Sequence, residues 1–342
     1  MNDRWVEDRG DPGATSVPIP VRLARIGRLL EAVRQKELAA LVVFSYGARS
    51  GMGNHGHLRY LLDWTSWGSP TMLVLPVDGE PAVAVPAPFD VPWMRELCPW
   101  IADVYLEAPR NYGRLARIVL AGRGIRGRIG LVGAQELLPP TPGELAAPDE
   151  RWAFEPADLL LHRERMIKDE IGLARMRRAA AICDTMFEAL VDAAQKPGTP
   201  VWKVQAAMNA AGLSEGAETS WNWVVAGPSP DRTRGRREEN LAPLRAGDCI
   251  VAAIIMTYAG YYGHALRMFS VGEPAKEHQE VWRAVRDAQE AVATLLQPGN
   301  NARLLAPAAE DAMFRRYPDA RDGDRLRFQV CHFIGLDYAE YP

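Results

Sequence analysis

The first half of the chain alternates short apolar runs with segments of helical periodicity, and no other feature of the sequence constrains the fold as strongly. Apolar side chains at helical spacing predict helices over 21–36, 91–98 and 112–121. Runs rich in Val, Leu and Ile predict strands over 39–44, 72–76, 82–86 and 128–132. Asp78-Gly79 joins the second and third strands and favours a hairpin, because glycine tolerates positive φ. Such alternation predicts an α/β domain.

The composition changes near the middle of the chain, where the segment from Pro139 to Pro148 is rich in Pro, Gly and Ala. Because domain boundaries favour such segments, we place the boundary between about 135 and 165. This division predicts a flexible leader over residues 1–20, an N-terminal domain over 21–150 and a second domain over 160–342.

The second half is predicted to run helix, helix, strand, strand and then helix again. Helices are expected from near Lys168 to the Pro197-Gly198 stop, and over 200–211, 277–296 and 301–317. Strand-like runs cover 221–225 and 249–256. Residues 258–271 predict a bent hairpin, because they include Gly260 and Gly263.

Charge and hydropathy exclude two classes of partner. The chain has 40 Lys and Arg against 43 Asp and Glu, a formal net charge of −3, so it lacks the basic excess that holds nucleic acid. Its longest apolar runs, such as 252–256, fall far short of the roughly 20 residues that cross a bilayer, so we predict no membrane partner. The leader has no apolar stretch after a basic start and is not expected to be a signal peptide. The four cysteines stand far apart among apolar neighbours, which predicts reduced core thiols in a cytoplasmic protein.

Several motifs carry a family resemblance through their order and spacing. They are Glu164 to Ile171 with Arg177 to Ile182, Leu244 to Asp248, Gly260 to Gly272, Gln297 to Gly299, and His332 to Leu336 running on to Glu340-Tyr341-Pro342. Together they resemble motifs of the creatinase, prolidase and aminopeptidase P superfamily. The segment from His57 to Trp64, with Trp67, is similar to the amino-terminal domain of its two-domain members. On this resemblance the chain is identified as a divergent member that lacks most metal ligands.

The resemblance implies a fold of the α/β (α+β) class. It predicts an N-terminal creatinase-like α/β domain followed by a pita-bread domain, whose curved antiparallel sheet holds the active site between flanking helices. It also implies a homodimer, which is usual among two-domain members. Peptidase members hold two divalent metals with two aspartates, a histidine and two glutamates, and the metals activate a water.

The chain departs from this ligand set. The position of the first aspartate falls on Ala253, which has no donor atom, and His264 stands at or beside the second. A further histidine is replaced near Arg234, only His332 is matched, and both glutamates are expected beyond Pro342. Two neighbouring divalent ions repel and need carboxylates to neutralise them, whereas a neutral imidazole supplies one lone pair and no charge. We therefore predict no metal and no cofactor.

The metal-free precedent in the superfamily is creatinase, which hydrolyses a carbon–nitrogen bond with a histidine and glutamates. By this resemblance we predict His332 as general acid or base and His264 as a second acid/base or substrate-contacting group, because imidazole titrates near neutral pH. The predicted substrate contacts are Tyr262, Arg267, Trp223, Arg234 and Glu340. Structural roles stay open for these residues: a sheet hydrogen bond for His332, an exposed turn for His264, an ion pair for Arg267, core packing for the aromatics and a solvated loop for Arg234.

Three functions are open on the sequence. The main prediction is a metal-independent, creatinase-like hydrolase or lyase that acts on a C–N bond of a small polar substrate containing nitrogen. One alternative is a catalytically silent pita-bread protein that serves binding or assembly. The other is a metal-dependent Xaa-Pro peptidase similar to prolidase. Elemental analysis would test the peptidase, and a ligand-sized cavity between His332 and His264 would favour catalysis over silence.

Overall fold

The computed structural model describes residues 16–46, 56–66, 69–107, 111–196, 198–228, 237–318 and 331–340 of the chain. Two compact units are present: one comprises residues 1–179, 257–262 and 333–342, and the other comprises 180–256 and 263–332. The first unit continues past the boundary expected between about 135 and 165. It does so because Arg165 and Asp169 form ion pairs with other residues of this unit.

The first unit combines a mixed sheet with helices. Its helices are α1 (Ile19–Gln35), α2 (Gly56–Leu62), α3 (Asp90–Leu97), α4 (Tyr112–Gly122), α5 (Thr141–Ala146), α6 (Asp158–Met166) and the start of α7 (Glu170–Ala194), with a 3-10 turn at Ala134–Glu136. Its strands are β1 (Ala40–Ser45), β2 (Thr71–Pro76), β3 (Ala82–Val85), β4 (Asp103–Leu106), β5 (Gly127–Val132) and β6 (Trp152–Pro156). The helices and strands predicted in the first half are confirmed to within two residues, whereas α2, β4, α5, β6 and α6 are additional.

The sheet of the first unit has the strand order β4-β3-β2-β1-β5-β6 within the described ranges. β1 pairs antiparallel with β2 and parallel with β5. Every residue of β1, β2 and β3 is buried, which explains why these strands are apolar without alternation. Leu41 and Val43 pack in one core cluster and Val42 and Phe44 in another, because successive side chains point to opposite faces.

The second sheet is antiparallel where its pairing is defined. Its strands are β7 (Thr219–Ser220), β8 (Trp223–Gly227), β9 (Cys249–Tyr258) and β10 (Tyr261–Ser270), in the order β10-β9-β7, with β8 also paired antiparallel to β9. The accompanying helices are the rest of α7, α8 (Val201–Ser214), α9 (Arg237–Leu241), α10 (Lys276–Leu295) and α11 (Leu305–Arg316), with a 3-10 turn at Ala302–Leu304. The two sheets and their helices confirm the α/β (α+β) fold class.

The hairpin predicted over 258–271 is present, but its bend lies at one end. Ala259 and Gly260 form the turn with φ of 46° and 83°, and Gly263 lies inside β10. The turn tolerates the second value because glycine has no Cβ. The turn therefore leaves β10 as one strand of ten residues that carries His264.

The thiol prediction holds in part. Cys98, Cys183 and Cys249 are buried, whereas the side chain of Cys331, beside the partly buried His332, is exposed to solvent. The prediction of a core thiol is wrong at Cys331. Within the described ranges, no helix combines the length and apolar character needed to cross a membrane.

Candidate functional site

The two predicted catalytic histidines meet in the second unit. His264 lies on β10, and His332 lies in the described segment 331–340. His264 Nδ1 and His332 Nε2 are 3.2 Å apart, and the ring planes are tilted by 34° with their centroids 5.3 Å apart. Both residues are partly buried. The fold thus pairs two imidazoles that stand 68 positions apart in the sequence.

The environment of this pair keeps His264 neutral at pH 7. Its pKa is lowered to about 4, first by burial and then by the neighbouring His332. A neutral imidazole carries one N–H and one lone pair. Across the 3.2 Å contact one ring can therefore donate its N–H to the other, and the tautomers decide which ring donates.

The described residues around the pair do not fit a dinuclear metal centre. Ala253, at the expected position of the first aspartate, is 1% exposed and lies opposite Trp223 in the β8–β9 ladder. Among the residues that the structure describes, the group of three His, Cys, Asp or Glu side chains able to share an ion does not include His264 or His332. Two imidazoles bring no negative charge to offset two divalent cations. We therefore derive no catalytic step through metal.

That group of three lies in the first unit and contains His57. Asp158 and His162, one turn apart on α6, complete it, with ligand atoms within 4.8 Å of one another. Arg165 Nη1 lies 3.0 Å from His57 Nδ1. A guanidinium has no acceptor, so Arg165 donates to Nδ1 and neutral His57 carries its proton on Nε2. Neither ring nitrogen offers a lone pair to a cation, and the group does not fit a metal.

The electrostatics of His57 agree with this arrangement. Its pKa is lowered to about 3, first by complete burial and then by the positive charge of Arg165. The pKa of His162 is also lowered, mainly by burial and then by Arg165. His57 is therefore a neutral, buried acceptor for Arg165, and its role in the first unit is structural.

Glu340, a predicted substrate contact, is buried in an ion-pair network. Its Oε1 accepts hydrogen bonds from Arg165 Nη2 at 2.7 Å and from the Leu336 N–H at 2.9 Å, and its Oε2 accepts from Lys168 Nζ at 2.6 Å. Burial acts to raise the pKa of Glu340, but Arg165 and Lys168 outweigh it and lower that pKa. Both carboxylate oxygens are thus engaged within the protein.

Arg165 joins a second carboxylate to this network. Its Nη2 also donates to Asp337 Oδ2 at 2.6 Å, and Asp337 Oδ1 accepts the N–H of Gly56 at 3.1 Å. The Arg165 side chain is 1% exposed and that of Asp337 is 8% exposed. Burial acts to lower the pKa of Arg165, but the charges of Asp337 and Glu340 outweigh it and raise that pKa. Two buried anions therefore share one buried guanidinium.

The remaining predicted contacts lie in different settings. Tyr262 is 3% exposed, its N–H donates to the Gly335 carbonyl at 2.7 Å, and burial raises the pKa of its hydroxyl. Trp223 is partly buried on β8. Arg267 is exposed and lines a groove between β10 and α10. Arg234 lies outside the described residues.

The buried ion pair of Arg165 and Asp337 is difficult to predict from the sequence. Arg165 belongs to the motif that resembles the entry helix, and Asp337 lies within the histidine-bearing motif, yet 172 positions separate them. Most residues of the motif that contains Arg165 are charged, so its sequence does not show which of them is buried. Asp337 lies among apolar and aromatic neighbours, and a charged residue in such a position is rarely buried without a partner.

Comparisons with known proteins agree with the fold. Residues 174–342 match the model of metallopeptidase family M24. The chain is 28% identical over 283 residues to a probable dipeptidase PepE of Mycobacterium tuberculosis, which covers 80% of this chain and 70% of that relative. It superposes on an Xaa-Pro dipeptidase from Bacillus anthracis with a TM-score of 0.76 and 19% identity, covering 94% of this chain and 84% of the other. It superposes on dipeptidase PepE from Mycobacterium ulcerans with a TM-score of 0.76 and 23% identity. That alignment covers 96% of this chain and 84% of the other.

These matches define the class of the protein as a pita-bread hydrolase with an additional N-terminal domain. The comparisons support the resemblance to the creatinase, prolidase and aminopeptidase P superfamily, and residues 174–342 match the family M24 model. The prediction of a hydrolase is confirmed at this level.

Proposed function

We propose that the protein hydrolyses the amide C–N bond of a small, dipeptide-like substrate, with the His264–His332 pair as its acid/base group. The contact of 3.2 Å between the two ring nitrogens carries this proposal. The names of the relatives, a dipeptidase and an Xaa-Pro dipeptidase, support a peptide substrate over a creatine-like one.

The proton balance of the proposed reaction is written for the state in which each ring carries one proton. Two neutral rings have four nitrogens and two protons, and the contact between the rings uses one N–H and one lone pair. The outer nitrogen of the donating ring then carries a lone pair, and the outer nitrogen of the accepting ring carries an N–H. The pair thus presents one base and one acid.

Amide hydrolysis needs both groups. The lone pair takes a proton from the attacking water as its oxygen bonds to the carbonyl carbon, and the N–H gives a proton to the leaving nitrogen as the C–N bond breaks. The shared proton moves between the rings at the same time, so the pair ends with as many protons as it began with. General acid–base catalysis of this kind contributes roughly 10²- to 10⁴-fold in rate.

We propose that this chemistry is metal-independent, on the ligand chemistry described above. A metal-dependent Xaa-Pro peptidase is the second candidate, and the M24 match and the likeness to an Xaa-Pro dipeptidase favour it. Elemental analysis and a chelator separate the two. The first candidate predicts no stoichiometric metal and an unchanged rate after dialysis against EDTA. Loss of activity that manganese or zinc restores would establish the second.

Substrate contacts by Trp223, Arg267, Arg234, Tyr262 and Glu340 stay proposals, as do a homodimer and a cytoplasmic location. Glu340 and Tyr262 are buried, so we expect substitution of either residue to affect substrate binding indirectly. The measured result would be a change in KM together with a loss of stability. Size-exclusion chromatography with light scattering tests the dimer.

The central experiment is a dipeptide panel, with and without proline at the second position, assayed beside creatine. We expect hydrolysis of a dipeptide by the unmodified chain. Turnover of creatine alone would favour the creatinase-like substrate, and the absence of turnover by well-folded protein would favour the silent binding protein.

A further inference from the structure

The segment that follows His332 is folded into a closed loop. The N–H of Glu340 donates to the Phe333 carbonyl at 2.9 Å, and these residues form an antiparallel bridge. Inside the loop, the Gly335 N–H donates to the Asp337 carbonyl at 3.2 Å. The loop, residues 333–340, therefore begins one peptide bond after His332 and has a defined backbone.

Charged side chains from outside the loop hold it in place. Arg165 binds both of its carboxylates, Lys168 binds the second oxygen of Glu340, and the Gly56 N–H binds the second oxygen of Asp337. The four ionised side chains are between 1% and 12% exposed. Two cations face two anions, so the charge is balanced, and removing one partner would leave an uncompensated buried charge.

The side chains of Arg165 and Glu340 pack directly against the backbone of two glycines. A Cβ on Gly56 would lie 2.6 Å from Cζ of Arg165, and a Cβ on Gly335 would lie 2.5 Å from Cδ of Glu340. Both glycines allow a close approach that any other residue would block. The planar guanidinium of Arg165 donates hydrogen bonds in fixed directions. Its contacts with Asp337 and Glu340 therefore depend on geometry as well as on charge.

The same loop also fixes the start of β10. The Tyr262 N–H donates to the Gly335 carbonyl, and the rings of Tyr262 and Tyr338 meet edge to face with centroids 6.1 Å apart. Tyr262 precedes His264 by two residues. The backbone on both sides of the histidine pair, in chain order, is therefore tied to this one loop.

We infer that Arg165 is a positioning residue: by binding Asp337 and Glu340 it fixes the loop that begins after His332, and so sets the contact between His332 and His264. The inference rests on the proposed function for its catalytic meaning, but the contact itself can be measured without a substrate. In this positioning role Arg165 does not contact either imidazole ring of the pair. It acts through the backbone of the loop.

The test compares two aspartates with similar contacts. Asp337 accepts the Gly56 N–H on Oδ1 and an Arg165 N–H on Oδ2, and Asp169 in the same unit accepts the Gly172 N–H on Oδ1 and Arg25 N–H groups on Oδ2. The variants are Asp337→Asn and Asp169→Asn. The readout is the set of ring signals of His264 and His332 in histidine-labelled full-length protein, assigned with His264→Asn and His332→Gln.

We expect both substitutions to lower the unfolding midpoint, but Asp337→Asn alone to move the ring signals and to raise the pKa of His264, by no more than removal of His332 would raise it. On a dipeptide substrate, Asp337→Asn should lower kcat more than it changes KM, and Asp169→Asn should change neither. If Asp337→Asn does not fold, Glu340→Gln replaces it, because the amide oxygen still accepts the Leu336 N–H while the negative charge that faces Arg165 and Lys168 is lost.

Unchanged ring signals in destabilised Asp337→Asn or Glu340→Gln protein would overturn the inference, and the network would then be structural only. Moved ring signals without any hydrolytic activity in the unmodified chain would support the positioning role and reject the proposed function.

Discussion

His57 and the His264–His332 pair show how differently two imidazole sites of one protein are treated by their surroundings. His57 is completely buried and accepts a hydrogen bond from Arg165, and its pKa is lowered to about 3, first by burial and then by the charge of Arg165. His264 is partly buried beside a second imidazole, and its pKa is lowered less, to about 4. The first ring is locked in one tautomer, whereas the second shares a proton with a group like itself.

This difference separates a structural histidine from a chemical one. A ring whose acceptor nitrogen is saturated by an arginine cannot exchange a proton without breaking an ion-pair network. Two imidazoles in contact can pass one proton between their ring nitrogens without breaking an ion pair. The neighbouring group, more than burial alone, decides which role each imidazole has.

The largest expected effect concerns rate. His264→Asn keeps an acceptor near the position of Nδ1, and His332→Gln keeps a polar atom near Nε2, but neither side chain titrates. We expect each to lower kcat/KM on a dipeptide by roughly 10²- to 10⁴-fold with little change in the unfolding midpoint. His57→Asn is the control and should leave kcat nearly unchanged. Equal losses of rate in all three variants would remove the distinction between the sites.

The second largest expected effect is a loss of stability caused by a larger side chain beside His57. Gly56→Ala places a Cβ against Arg165 and should lower the free energy of unfolding by about 1–3 kcal/mol through overpacking. Gly27→Ala, in α1 with no atom within 4 Å of its added Cβ, should be neutral or stabilising. Urea denaturation measures both, and equal stability of the two variants would contradict the close packing around Arg165.

Acid stability should also depend on His57. The pKa of His57 is about 3 in the folded protein and near 6.5 in the unfolded chain. Between these two pH values the unfolded chain therefore binds a proton at this residue and the folded protein does not. Stability should therefore fall as the pH drops from about 6.5 to about 3, by up to about 1.4 kcal/mol per pH unit from this group. His57→Asn removes that contribution, because asparagine does not titrate. Parallel urea midpoints of the two proteins between pH 6 and 4 would argue against it.

The smallest expected effect is a shift within the pair. Removing His332 by His332→Gln takes away one cause of the low pKa of His264, while burial still keeps it below its ordinary value. The pKa of His264 should rise by less than about one unit, measured by NMR titration of its ring. His278→Gln, at another histidine of the second unit, is the matched control. A fall in the pKa of His264 would mean that His332 stabilises its charged form.

Much of the fold can be predicted from local sequence patterns, because β1, β2 and β3 are buried on both faces and are therefore mostly apolar. α6 is missed because three leucines are followed by charged residues that give it no clear apolar stripe. The pairing of His264 with His332 follows from a resemblance between motifs, since no local rule links positions so far apart. The prediction that Glu340 contacts substrate does not anticipate Arg165, because an ion-pair partner 175 positions away leaves no periodic signal.

The threading of the chain through its two compact units has a practical consequence. The polypeptide leaves the first unit after residue 179, returns for 257–262 and returns again for 333–342. Neither unit is a continuous stretch that truncation could isolate. Residues 180–332 expressed alone would still include 257–262, which belong to the first unit, and a single proteolytic cut would not separate the two units. Substitution at single positions is therefore the practical way to change one unit and keep the other intact.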